Sequence, residues 1–248
     1  MSYKYTDKYL PIGAGRCNIL AKKVIKPVLS AAEAVKCIKP GMSVIIGGFN
    51  YGGITYTLVD ALVESGVGEL TLIANDTAYE DVGHGKLVAN GQVKKVVASH
   101  VGLNKKTGQF YMEGKLELEL CPQGTFVERI RAGGFGLGGI LTPTGVGTVV
   151  EEGKQVLEID GKKYLLELPL RANVALIRAY QADRMGNLTY FGTNRNFNPI
   201  MATAADYVVA EVDSVLEVGE LDPNEIVTPG ILIDALVVKG DNYYANRT

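Results

Sequence analysis

The chain has 248 residues, 47% hydrophobic and 21% charged, with 25 basic residues against 27 acidic ones and a net charge of −2. That balance excludes extended disorder, and it leaves no broad basic field for nucleic acid, which needs clustered Lys and Arg to displace counterions. No uncharged apolar run reaches the ~18 residues of a membrane span, and glycine is the outlier, 30 of 248 residues or about 12% against a usual ~7%.

From the N-terminus, residues 1–24 carry Lys4, Lys8, Arg16, Lys22 and Lys23 against one acid, Asp7, and contain no apolar core. They read as a solvated basic arm, not a secretory signal. Residues 25–248 read as one domain. Ser30-Ala-Ala-Glu33 has the spacing of a capping box, and Pro40-Gly41 stops the helix it opens. Val44–Ile46 is a short apolar strand of the kind buried on both faces of a parallel sheet. Leu58, Val59, Leu62 and Val63 mark a helix ended by Gly66, and residues 70–74 and 93–98 are further strands. Glu117 and Glu119 alternate with Leu, which predicts a strand with both carboxylates on its solvated face; residues 125–132 predict a helix. Asp160-Gly161 between apolar alternations predicts a hairpin. Residues 174–177, 207–212 and 231–237 predict strands, and residues 197–205 a helix. The fold class is α/β: a mainly parallel sheet flanked by helices, with a β-hairpin insertion.

Cys17, Cys37 and Cys121 are scattered and form no C-x-x-C pair, and the chain has two histidines, His84 and His100. This excludes a disulfide framework, predicts no metal site and favours the cytoplasm. Both histidines read as loop residues, and Cys121 as a packed residue at a strand end. Glu128, Arg129 and Arg131 share a predicted helix and read as surface ion pairs. Arg195, Asn196 and Asn198 precede a helix and read as caps.

Two glycine clusters hold much of the excess. Gly47, Gly48, Phe49, Asn50, Tyr51, Gly52 and Gly53 directly follow the 44–46 strand and precede a helix. Open α/β sheets bind ligands at that end of a strand, and glycines let backbone amides approach an oxygen closely. A tight turn without a ligand fits the spacing equally well. The second cluster, seven glycines in residues 133–147, contains a superficial dinucleotide fingerprint. It follows a predicted helix instead of a strand, so it reads as an irregular connection or a loop near a site. No P-loop and no G-x-S-x-G motif occurs.

Gly41-Met-Ser-Val44-Ile45-Ile46-Gly47-Gly48-Phe49, continuing to Gly53, resembles a signature of the class I coenzyme A transferases of the 3-oxoacid type, in their alpha subunit. It departs from that signature at Pro40 and Thr55. The resemblance continues in order through Pro122-Gln123-Gly124-Thr125, Glu128-Arg129-Ile130-Arg131-Ala132-Gly133-Gly134, Thr142-Pro143-Thr144-Gly145, Arg195-Asn196-Phe197-Asn198-Pro199 and Thr228-Pro229-Gly230.

The resemblance implies transfer of CoA from a short-chain acyl-CoA to a free carboxylate such as acetoacetate. A glutamate attacks the thioester carbonyl and expels CoA thiolate, leaving an acyl-glutamyl anhydride. The thiolate then attacks the glutamyl carbonyl, releasing the carboxylate and leaving an enzyme-CoA thioester. The family's nucleophile lies in a Ser-Glu-Asn-Gly motif of a beta subunit, and no Ser-Glu-Asn occurs here. The implied partner is therefore a beta subunit bearing the catalytic glutamate, in an α2β2 assembly. No catalytic residue is expected in this chain, and no cofactor beyond CoA thioester as substrate. Gly47–Gly53 is the implied CoA-binding segment. Asn50 and Tyr51 either shape the acyl pocket or make the loop wetter. Gln123, at a strand–helix junction, either faces the cleft or caps the helix. Two other classes stand beside this one: a sugar-phosphate isomerase or effector-type domain, and a non-catalytic scaffold that binds a beta-like partner.

Overall fold

The computed structural model describes residues 24–240. The basic arm expected over residues 1–24 lies outside them except for its last residue, as does Cys17. The elements in chain order are α1 (Ala31–Ala34), β1 (Ser43–Ile46), α2 (Tyr56–Glu64), β2 (Leu70–Ile73), α3 (Gly85–Ala89), β3 (Val93–Ala98), α4 (Lys105–Met112), β4 (Glu117–Leu120) and α5 (Gln123–Gly134). Then come β5 (Ile140–Thr142), β6 (Val156–Ile159), β7 (Lys162–Glu167), β8 (Ala172–Arg178), β9 (Gln181–Asp183), α6 (Asn198–Met201), β10 (Ala205–Val212), β11 (Ser214–Leu216) and β12 (Ala235–Val238).

Seven strands form one parallel sheet in the order β12-β10-β8-β1-β2-β3-β4. Alternate residues of each strand enter different cores. Val44, Ile46, Leu72 and Leu176 pack with Leu58 and Leu62 of α2 on one face. Ile45, Ile73, Ala175 and Val208 pack with Phe126, Ile130 and Met201 on the other. This double burial explains why the central strands are continuous apolar runs. The chain winds outward from β1 through β2, β3 and β4, then returns to β8 on the other side of β1. The crevice between the carboxyl ends of β1 and β8 is thus the switch point where sheets of this kind bind ligands.

Local signals set several boundaries. Ser30 and Glu33 complete the capping box, with Glu33 N–H on Ser30 Oγ at 3.3 Å and Ser30 N–H on Glu33 Oε2 at 3.0 Å. Asp160 and Gly161 adopt φ of 52° and 75°, the two-residue turn that joins antiparallel β6 and β7. β5 adds to this hairpin to make a separate three-stranded sheet.

Three expectations are corrected. The helix expected over residues 197–205 is only α6, four residues long, because β10 begins at Ala205 and pairs with Ala172 of β8. The strand expected over 231–237 begins at Ala235; Gly230–Leu232 is a 3-10 turn, and the Asp234 carboxylate accepts the Val208 amide at 2.8 Å. Glu119 is not simply solvated: it pairs with Lys95 at 3.1 Å across the edge of the sheet and with Arg129 at 2.7 Å.

Candidate active site

The carboxyl edge of the sheet gathers Gly47–Gly53 after β1, Asn75 and Asp76 after β2, Gln123 after β4, and Arg178 and Tyr180 around the end of β8. The glycine segment is a closed miniature hairpin. Phe49 N–H bonds Gly52 O at 2.9 Å, and Gly52 N–H bonds Phe49 O at 3.0 Å. Asn50 turns the corner at φ 54°. Gly48 holds φ 128°, and a Cβ there would stand 2.6 Å from Ile54 Cγ1, so this position requires glycine.

Most of the loop's amides are occupied within the protein. Gly47 N–H continues the ladder to Leu176 O at 3.1 Å, and Asn50 N–H is held by the Asp76 carboxylate at 3.0 Å. Gly48 N–H has no hydrogen-bond partner among the described residues. At the tip, Phe49 and Tyr51 are 51% and 43% exposed. Phe49 meets the Phe197 ring at 6.4 Å, and Tyr51 stacks on Tyr79 at 5.2 Å.

Asn196 and Asn198 fasten this loop from the far side of the switch point. Asn196 Nδ2 donates to Gly52 O at 3.0 Å, and buried Asn198 Nδ2 donates to Gly53 O at 3.1 Å. Asn198 Oδ1 accepts the Arg178 amide at 2.8 Å. The capping role expected for these asparagines is therefore replaced by a bridge between the loop and β8. Arg195 lies in a 3-10 turn, residues 192–195, just before them.

Gln123 opens α5, whose N-cap, Pro122, receives no side-chain cap. Its Nε2 donates to Asn75 Oδ1 at 2.8 Å, and it lines a cleft of about 710 Å³ with Thr142, Thr144 and Phe197. Gln123 thus lies in the cleft wall, with its amide nitrogen on Asn75. The second glycine cluster begins in the last turn of α5, at Gly133 and Gly134, and its chain continues into Ile140, Leu141, Thr142 and Thr144, which line the cleft. A neighbouring cavity of about 250 Å³ is lined by Arg178, Tyr180, Tyr190, Phe191, Asn194 and Asp213.

Asn75, Asp76 and His84 escaped the sequence reading as site residues, although polar residues directly after an apolar strand were a usable signal. All three are buried. Burial alone would raise the Asp76 carboxyl, but the neighbouring His84 together with the Asn50 and Asn75 donors outweighs it and brings it down to about 2. His84 lies in the turn before α3, as read, but is buried, with its Nε2 2.8 Å from Asp76 O, while His100 is exposed. Burial also pushes the Cys121 thiol up, so it stays a packed thiol.

Three glutamates near this edge are held in ion pairs. Glu128 reaches the cleft wall but pairs with Arg131 at 3.0 Å. Arg129 is buried, not a surface residue, and joins Glu119 to Leu168 O. Glu167 binds Lys154 at 2.6 Å. Among the described residues no cluster of three or more His, Cys, Asp or Glu could hold a metal ion.

The family profile described as coenzyme A transferase matches residues 28–239. The chain is 54% identical over 215 residues to the acetate CoA-transferase subunit alpha of Escherichia coli K12, covering 87% of this chain and 98% of that one. It is 50% identical to the acetoacetyl-CoA:acetate/butyrate CoA transferase alpha subunit of Clostridium acetobutylicum, covering 80% and 91%. Among solved structures, an acyl-CoA transferase from Escherichia coli O157:H7, as a thioester complex with CoA, superposes with a TM-score of 0.80 at 25% identity. That match covers 88% of this chain but 48% of the other, so the chain spans about half the length of that protein. The chain belongs to the coenzyme A transferase family, on the side of its alpha subunits.

Proposed function

We propose that the chain is the alpha subunit of a two-subunit enzyme that moves CoA between a short-chain acyl-CoA and a free carboxylate such as acetoacetate. A beta subunit supplies the glutamate that carries the glutamyl-CoA thioester. The observation that carries this reading is a glycine loop at the sheet's switch point with the nearby Glu119, Glu128 and Glu167 tied up inside the chain. Gln123, after β4, is linked to the glycine loop through Asn75 and Asp76, whose carboxylate holds the Asn50 amide, while each of the three glutamates is held in an ion pair. The names of the alpha-subunit relatives from Escherichia coli and Clostridium acetobutylicum support the choice of acetate, acetoacetate and butyrate.

In this reading the unoccupied Gly48 N–H is the donor for the thioester carbonyl oxygen, where charge develops during attack. Phe49 and Phe191, the latter 69% exposed, give this edge an apolar surface that a partner can cover. The subunit naming of the relatives supports a beta-subunit partner, with which we take this chain to form an α2β2 assembly. Among the described residues no helix is long and apolar enough to cross a membrane, and the reading keeps the cytoplasmic location. The test is exchange activity: the chain alone should transfer no CoA, and adding its beta subunit should restore transfer. Robust exchange by the chain alone would sink the two-subunit reading.

A further inference from the structure

A chain of side-chain hydrogen bonds runs behind the site from Asp76 through Asn75 to Gln123. Asp76 Oδ2 accepts from Asn75 Nδ2 at 2.9 Å and from the Asn50 amide at 3.0 Å. Its other oxygen, Oδ1, accepts from the Ala78 amide at 2.8 Å. Asn75 Oδ1 in turn accepts from Gln123 Nε2 at 2.8 Å, with Ser99 Oγ 3.0 Å away.

Each amide in such a chain has an accepting end and a donating end, so its direction needs a cause. An ionised carboxylate can only accept. Asp76 is ionised throughout the neutral range, its carboxyl held down to about 2, and both of its oxygens face donors. Asn75 must therefore turn its NH2 toward Asp76, which turns its Oδ1 outward. Gln123 must then present its NH2 to Asn75.

We infer that Asp76 and Asn75 are positioning residues: the carboxylate fixes the direction of the amide chain and thereby sets which atoms of Gln123 the substrate meets. The same carboxylate holds the Asn50 amide, so one buried anion ties together the two parts of the site. The inference rests on the reading of Gln123 as a substrate-facing residue.

In Asp76→Asn the new side chain has an NH2 that must face a donor in either orientation. The backbone amides of Asn50 and Ala78 cannot reverse, whereas the Asn75 amide can, and Gln123 follows it. The experiment is a double-mutant cycle on kcat/KM for CoA exchange, made on the complex of this chain with its beta subunit, combining D76N with Q123A. D76N should cost at least fivefold less in the Q123A background than in the wild type. The part of its effect that runs through the Asn50 amide is common to both backgrounds and cancels.

A second cycle, N75A with Q123A, leaves the buried carboxylate intact and should show the same non-additivity if D76N fails to fold. Equal losses in both backgrounds, in whichever cycle can be measured, would overturn the inference. A direct readout needs no turnover. The Gln123 side-chain amide signals in the 15N spectrum of the assembled protein should shift in D76N, and unshifted signals overturn the positioning role. An unmutated complex that shows no exchange would instead count against the functional reading, with the spectrum still deciding the inference.

Discussion

Glu211 is 2% exposed and sits beneath the start of α2, where its carboxylate accepts the Leu58 amide at 3.0 Å. Burial pushes this carboxyl up from 4.5 to about 7; the Leu58 and Thr57 amides and Arg178 pull it back, and Asp60 adds to the rise. The folded state thus binds more protons than the unfolded chain between those values. The resulting stabilisation is full below about 4.5 and is lost as pH rises through about 7. Glu211→Gln keeps an acceptor for Leu58 and removes the ionisation. Its thermal midpoint should therefore fall less than that of the wild type between about pH 5 and pH 8. Parallel curves would remove Glu211 as the source. Asp76 has the opposite sign: its stabilisation is present above the ordinary aspartate value and fades only as pH falls toward about 2. Neither role was legible from composition or motif. The single charge within residues 207–212, an apolar run buried on both faces, was the available signal for Glu211.

At the scale of elements, the glycine loop was legible because its chemistry is local: an apolar strand, glycines, then a helix. Gly48→Val puts a side chain at φ 128° and against Ile54. CoA-exchange turnover should fall about a hundredfold, as misplacement by about 1 Å can cause, while the complex with the beta subunit still forms. Unchanged kinetics in the assembled variant would reduce the loop to a turn. The other half of the site was not legible. Asn196 and Asn198 read as caps because Asn before a helix normally caps it, and contact with Gly52 and Gly53 depends on a pairing 144 and 145 residues away in sequence. Met201-Ala-Thr-Ala-Ala carries helix propensity, yet pairing of Ala205 with β8 takes the backbone away from the helix. Asn198→Ala strips partners from the Arg178 amide and Gly53 carbonyl. It should cost about 1–3 kcal/mol in denaturant unfolding; a change under about 0.5 kcal/mol, the usual range for surface substitutions, would show that the bridge is dispensable.

At the scale of the whole molecule, the order of strands places every named site residue at one edge of the parallel sheet, and the hairpin sheet forms separately from it. The α/β class and the hairpin were legible because periodicity and Asp160-Gly161 report on neighbours in sequence; the strand order depends on long-range pairing that leaves no local mark. The central claim is that this edge is half of a catalytic site, with its covalent glutamate on another chain. The most direct measurement is to incubate the assembled enzyme with acyl-CoA alone, reduce the enzyme-CoA thioester with borohydride and map the peptides by mass. The account predicts the mass change on a beta-subunit glutamate, with every peptide of this chain unmodified. A modified glutamate in this chain would contradict it.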